Sequence, residues 1–465
     1  MMADQNQRAF AIGYARSNRA RFLSTLSEFL RIPSVSTSPD HQGDIRAASE
    51  WLSSYLAGLD MEAVSILPTP IHPMVYAQYS RAGSDKPTVL IYGHYDVQPP
   101  EPLELWRTPP FGPSVQGDYL FARGASDMKG QIMATLAAIE SLLNAGPLPV
   151  NLKFLFEGEE EIGSPSMHEF LSKNRGLLKS DFALNPDAGM VAPDKPTITY
   201  GLRGLAYFDL RVYGPSRDLH SGQFGGAVHN PAQALAELIA QMHDAKGRVT
   251  LKGFYDRVVP LSAEERRELQ RLGEDERFLL QETGVPALWG EEDYSPKERI
   301  SVRPTLEVNG IYGGYSGPGS KTIIPSMAGA KISMRLVPEQ DPEEVHQQLL
   351  EFLRRNAPKT VRWELDRLSG SPGVLVPLHT PPVEALRRAL QTVWGHEPIN
   401  NREGGSIPIV TELQEVLGVP SVLTGFGLMD DAIHSPNERL HLPTWERGIE
   451  ALIHFFTNLE SVGSL

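Results

Sequence analysis

The chain has 465 residues, 41% of them hydrophobic and 22% charged, ordinary values for a globular protein with room for two or three domains. It has no cysteine, so disulfides, thiolate metal sites, iron–sulfur clusters and cysteine nucleophiles are excluded, and any metal must be held by His, Asp and Glu. A formal charge of −14 argues against a nucleic-acid partner, and the absence of an apolar run near 18 residues or a basic-then-apolar leader predicts a cytoplasmic protein with no membrane partner.

Residues 15–30 place Phe22, Leu26, Phe29 and Leu30 at helical spacing, with Pro33 as a stop, and residues 45–59 fit a second helix. Residues 88–93, Thr-Val-Leu-Ile-Tyr-Gly, are a continuous apolar run of the kind that makes a buried strand, and His94 and Asp96 follow at once. Residues 128–143 read as a helix, 151–156 as another buried strand and 166–171 as part of a helix. This alternation predicts an α/β fold with a mainly parallel, helix-covered sheet, whose ligands belong beyond the C-terminal ends of the strands. His94, the acidic run 157–161 and Asp187 all fall near that edge.

The pattern then changes. Residues 205–212 alternate as a half-buried strand, 231–242 form a helix, 305–308 and 331–337 are strands, and 342–353 form a helix. Two helices on one antiparallel sheet make a compact α+β domain. The charged stretch 246–300, with Glu264-Glu265-Arg266-Arg267 and Glu291-Glu292-Asp293, reads as a solvated helical face or surface insertion. After Pro382 the alternation resumes through residues 383–394, 407–416, 421–424 and a closing helix at 444–459. One α/β domain, residues 1–203 and 383–465, is thus interrupted by an inserted domain at 204–382.

His94 and Asp96 stand at i and i+2, on one face in extended geometry, so Asp96 is placed to orient the imidazole of a metal-bound His94. Asp127, in Arg123-Gly124-Ala125-Ser126-Asp127-Met128-Lys129-Gly130, precedes an apolar helix; it suits either an N-cap or a ligand. In Glu157-Gly158-Glu159-Glu160-Glu161 four carboxylates crowd within five residues after a strand. Two unit charges 4 Å apart interact by roughly 4 kcal/mol at an effective dielectric of about 20, so such a cluster attracts a cation. Glu160 and Glu161 suit a proton carrier and a ligand. With Asp187 and His434 the set comprises two imidazoles and three carboxylates, suited to Zn²⁺, Mn²⁺ or Co²⁺.

Three look-alikes are discounted. In Gly317-Pro318-Gly319-Ser320-Lys321-Thr322, serine stands where a phosphate loop has glycine before its lysine. Gly314-Tyr315-Ser316-Gly317-Pro318 and Gly404-Gly405-Ser406-Ile407-Pro408 each miss the nucleophile elbow by their last residue.

Five motifs in order, Gly93-His94-Tyr95-Asp96-Val97-Gln98-Pro99, residues 123–130, Glu160-Glu161-Ile162-Gly163-Ser164, Asp187 and Asp430-Asp431-Ala432-Ile433-His434-Ser435, resemble those of the co-catalytic di-zinc metallopeptidases. That family includes carnosinase, cytosolic non-specific dipeptidase, acetylornithine deacetylase and succinyl-diaminopimelate desuccinylase. Tyr200-Gly201-Leu202-Arg203-Gly204, Asp218-Leu219-His220-Ser221-Gly222, Lys321-Thr322-Ile323-Ile324-Pro325 and Arg402-Glu403-Gly404-Gly405-Ser406-Ile407-Pro408 are similar to the carnosinase and non-specific dipeptidase branch.

The resemblance implies two divalent ions, zinc first, with manganese or cobalt as alternatives. It implies that His94 and Asp187 hold one, Glu161 and His434 the other, and Asp127 bridges both. Asp96 would orient His94, and Glu160 would be the general base. If the extra acid in Phe-Glu-Gly-Glu at 156–159 displaced the register by one, Glu159 and Glu160 would take these roles; Ile162-Gly163-Ser164 anchors the first choice. The insertion would be a ferredoxin-like lid and dimerisation domain, with His220 reaching the partner's active site in a homodimer. Arg335 matches a substrate-binding arginine, and Thr322 and Ser406 match residues near the substrate carboxylate.

The expected reaction is hydrolysis of a dipeptide or short-peptide amide by a hydroxide held between the two ions, Glu160 taking the proton and returning it to the amine. Alternatives are an N-acyl-amino-acid deacylase or carbamoyl-amino-acid hydrolase, or a non-catalytic peptide-binding dimer.

Overall fold

Asn18 interrupts the helical run at the N-terminus. Its side-chain amide donates to the Tyr14 carbonyl at 2.9 Å, beside its own main-chain N–H at 3.0 Å. Two helices result, Met2–Ser17 and Arg19–Leu30, where the apolar spacing predicted one over residues 15–30. The second still buries Phe22, Leu26, Phe29 and Leu30. The computed structural model describes residues 2–461, and these divide into two compact units.

The first unit comprises residues 1–200, 376–401 and 407–465. At the centre of its sheet run four parallel strands in the spatial order Asn151–Glu157, Thr88–His94, Phe182–Asn185 and Ser421–Leu423. Ala63–Leu67 and Met74–Tyr79 extend one side antiparallel; the sequence reading passed over both strands. The central strands are buried throughout apart from Thr88 and Lys153, as expected for parallel strands covered on both faces. Helix Lys129–Ala145 is buried from Lys129 to Leu142 because Met2–Ser17 and Leu442–Asn458 pack on it, and a helix apolar all round belongs inside.

The second unit comprises residues 201–375 and 402–406. Its antiparallel sheet has the order Thr305–Gly313, Met327–Leu336, Gly204–Tyr213, Arg362–Ser371. Helices Pro231–Ala240 and Pro342–Asn356 pack on it, giving the β-α-β-β-α-β chain order of a ferredoxin-like domain. Gly204–Tyr213 alternates buried and half-buried along its whole length, one side facing Leu235, Leu238, Leu349 and Leu353 and the other polar.

The boundaries differ from the sequence reading. The second unit starts at residue 201 rather than 204 and ends at 375 rather than 382, and it gains 402–406 from the segment assigned to the α/β domain. Hydrogen bonding explains the transfer: Arg203 Nε donates to the Gly404 carbonyl at 2.8 Å and the Arg203 amide to the Gly405 carbonyl at 3.0 Å. The charged stretch 246–300 is also less exposed than its composition predicts. Short helices Ala263–Arg271, Glu276–Thr283 and Pro296–Ser301 form there, but Glu291 is buried against Arg303 at 2.7 Å and Glu274 against Lys297 at 2.5 Å. Pairing is what permits those charges inside.

Candidate metal centre

The parallel strands deliver their chemistry at their C-terminal ends. His94 is the last residue of Thr88–His94, and Asp187 lies two residues beyond Phe182–Asn185. Glu160 and Glu161 open a short 3₁₀ turn three residues after Asn151–Glu157. Asp127 sits two residues before helix Lys129–Ala145 and is not its N-cap; Met128 takes that position. The carboxylate is occupied elsewhere.

His94 Nε2 lies 3.0 Å from Asp127 Oδ1 and 3.8 Å from Asp187 Oδ1. His434 Nε2 lies 3.0 Å from Asp127 Oδ2 and 3.3 Å from Glu161 Oε2. Two donor groups, His94–Asp127–Asp187 and Asp127–Glu161–His434, therefore share Asp127, each with its ligand atoms within 4.8 Å of one another. Asp96 supports both. Its main-chain carbonyl is 3.1 Å from His94 Nδ1 and its carboxylate 3.5 Å from the same nitrogen, while Oδ2 accepts the Glu161 amide at 3.1 Å. Gln98 Nε2 donates to Glu161 Oε2 at 2.7 Å.

The electrostatics show a cluster short of positive charge. Burial raises Glu160 to about 8; the His94 charge opposes this and the carboxylates of Glu161, Asp127 and Asp96 add to it. Burial likewise lifts Asp187 well above the carboxylate range. Hydrogen bonds to Asp127 and Glu161 raise His434 to about 10. In His94 burial works downward, yet hydrogen bonds to Asp127 and Asp96 carry the ring well above its usual value. The crowded carboxylates thus favour positive charge among the donors, and a divalent ion supplies it when neutral imidazoles and ionised carboxylates bind it. The residues fit a hard-to-borderline divalent cation.

Glu159 separates from its neighbours. It is buried and accepts hydrogen bonds from Thr69 Oγ1 at 2.7 Å, the His72 amide at 2.8 Å and the Ser166 amide at 3.0 Å. Glu160 is half-buried beside the donors, and the Glu161 side chain is buried against His434. The displaced register, with Glu159 as proton carrier, does not match this geometry.

The other candidate residues lie in the second unit as two pairs. Arg335 Nη1 donates to Ser406 Oγ at 3.0 Å, and among the described residues no carboxylate pairs with its guanidinium. His220 pairs with Ile323 in a short ladder, and the Ser221 amide donates to the Thr322 carbonyl at 3.0 Å. His220 and Thr322 are exposed. Sequence reasoning gave no role to Arg123, Asp431 or Glu438, all buried beside the Asp127 and His434 loops. Their only signal was position inside or just after the motifs.

No helix among the described residues is long and apolar enough to cross a membrane. The chain is 32% identical over 464 residues to the Cys-Gly metallodipeptidase DUG1 of Saccharomyces cerevisiae, covering 94% of this chain and 95% of that protein. It is 32% identical over 472 residues to the human Beta-Ala-His dipeptidase, covering 96% and 91%. The M20 family metallo-carboxypeptidase Sso-CP2 from Sulfolobus solfataricus superposes with a TM-score of 0.86 at 34% identity, over 94% of this chain and 99% of that one. Residues 90–458 match the description of peptidase family M20/M25/M40, a span that holds every donor named above, and the chain belongs to that family of peptide-bond hydrolases.

Proposed function

We propose that the chain is a metal-dependent dipeptidase that uses two divalent ions, zinc first. The observation that carries this reading is the pair of three-donor groups joined through Asp127; similarity to enzymes named as dipeptidases supports the substrate class. His94 and Asp187 would hold one ion, Glu161 and His434 the other, with Asp127 between them. When bound, such a pair polarises a carbonyl and makes water a competent nucleophile near neutral pH.

The chain's own residues do the rest. Glu160, half-buried at the edge of the donors, takes the proton of the attacking water and returns it to the departing amine. Asp96 fixes the His94 ring and the Glu161 main chain. Arg335, with Ser406 beside it and, among the described residues, no acidic partner, receives the free carboxylate of the dipeptide, where a planar guanidinium makes paired hydrogen bonds. Thr322, like Ser406, lies near the substrate carboxylate, and His220 reaches the partner's active site in a homodimer formed through the ferredoxin-like unit, which sedimentation velocity tests.

The decisive experiment is turnover on a mixed panel of dipeptides, N-acyl-amino acids and N-carbamoyl-amino acids after exchange into Zn²⁺, Mn²⁺ or Co²⁺. Dipeptides cleaved fastest, with loss on chelation and recovery on metal addition, is the expected result. Faster hydrolysis of acylated or carbamoylated amino acids replaces the dipeptidase reading with an amidohydrolase. Tight peptide binding without turnover replaces it with a binding protein.

A further inference from the structure

Glu438 is 1% exposed, and its carboxylate is spent entirely on the loop that carries Asp127. Oε1 accepts the amides of Ser126 at 3.0 Å and Asp127 at 3.1 Å; Oε2 accepts the Gly124 amide at 2.9 Å and Arg123 Nη1 at 2.8 Å. Arg123, also 1% exposed, sends Nη2 to the Pro99 carbonyl at 3.1 Å. A second carboxylate repeats the connection from the other side of His434: Asp431 Oδ2 accepts Ser126 Oγ and the Leu428 amide, both at 2.7 Å.

The segment between these two anchors is strained. Ala432, His434 and Asn437 have φ of 56°, 60° and 67°, a left-handed region that alanine and histidine rarely adopt and that persists only where the surroundings impose it. A buried ion pair is also a poor way to gain stability, because an apolar pair of similar volume does as well or better. Strain and buried charge converge on the junction that sets His434 Nε2 3.0 Å from Asp127 Oδ2 across 307 residues of sequence.

We infer that Glu438 is a positioning residue for the metal centre: by gathering the amides of Gly124, Ser126 and Asp127 four residues after His434, it fixes the Asp127 carboxylate to face both imidazoles. The inference rests on the proposed reading of Asp127 and His434 as ligands. Loss of the carboxylate frees the Asp127 loop to turn, and the two donor groups lose their common member.

The test compares the full-length wild type, Glu438→Gln and Glu438→Asp, stripped of metal and titrated with Zn²⁺ against a chromophoric chelator, alongside urea melts of the metal-free proteins. Glu291→Gln, which breaks the buried pair with Arg303 in the other unit, controls for lost stability. Glu438→Gln is expected to bind zinc about 10–100-fold more weakly, with turnover recovering as zinc is raised, while Glu291→Gln loses stability at unchanged zinc affinity. If Glu438→Gln does not fold, Glu438→Asp, which withdraws the same charge by one methylene, must show the weakened affinity. Wild-type zinc affinity in the folded variants, or equal weakening in Glu291→Gln, overturns the inference and leaves the metal centre standing. A wild type that takes up no divalent ion overturns both.

Discussion

Exchanging Glu159 and Glu160 for glutamine, one at a time, separates a structural acid from a chemical one. In Glu159→Gln the retained carbonyl oxygen can still serve Thr69 and the His72 amide, but the new NH₂ meets the Ser166 amide, which loses its acceptor. One buried donor left unsatisfied costs about 1–3 kcal/mol, and the two surviving bonds drop from charged to neutral strength at about 1 kcal/mol each. The expected loss of stability is therefore about 3–5 kcal/mol. Turnover per folded, metal-loaded molecule should stay within about tenfold of wild type, since this carboxylate is already fully engaged.

Glu160→Gln should behave in the opposite way. Burial already penalises its charge, so neutralising it leaves stability unchanged or raised. Loss of a positioned proton carrier should lower kcat by about 10²–10⁴, or about 3–5 kcal/mol in the barrier. Urea melts followed by tryptophan fluorescence and steady-state dipeptide hydrolysis at saturating metal read the two effects independently, and metal content excludes loss of ligands. If Glu159→Gln is stable but inactive while Glu160→Gln still turns over, the proton carrier is Glu159 and the assignment made from burial is wrong.

Three further outcomes follow from other parts of the molecule. Arg335→Met should raise KM for dipeptides about 10–100-fold with little change in kcat, and Arg335→Lys should not restore it, because a point charge lacks the planar fork; an unchanged KM would show that the carboxylate binds elsewhere. Gly425→Ala would set a Cβ 1.4 Å from the Ala188 carbonyl oxygen, so the backbone beside Asp187 must shift. Both stability and zinc affinity should fall, and a variant that keeps wild-type zinc affinity refutes the coupling. Burial, with Arg8 nearby, lowers His454 to about 4. The unfolded chain, with an ordinary value near 6.5, binds more protons between those limits, so this residue makes stability fall as pH drops from about 6.5 to about 4. His454→Asn should flatten that part of the urea-midpoint profile; an identical pH slope in variant and wild type would refute the assignment.

The local spacing of side chains made much of this protein legible before folding. The short apolar or mostly apolar runs at 88–93 and 151–156 read as buried strands, and once these pair in parallel a strand that ends in His94 and one that runs into residues 157–161 carry those groups to the same edge. The alternation in Gly204–Tyr213 likewise fixes a sheet with one wet face. Chemistry of the donor set followed from residue type alone, because a chain without cysteine has few ways to hold a metal.

Only the tertiary structure decided the questions that depend on partners remote in sequence. Of three adjacent acids, Glu159 turns inward because the Thr69, His72 and Ser166 donors wait for it, and no periodicity announces donors 87 or 90 residues away. Ser406 belongs with Arg335 because Arg203 hydrogen-bonds the Gly404 and Gly405 carbonyls. Glu274 and Glu291 are buried because Lys297 and Arg303 neutralise them, which composition reads as exposure. Sequence determines the elements through the periods of helix and strand; burial, pairing and proton affinity are properties of the assembled neighbourhood.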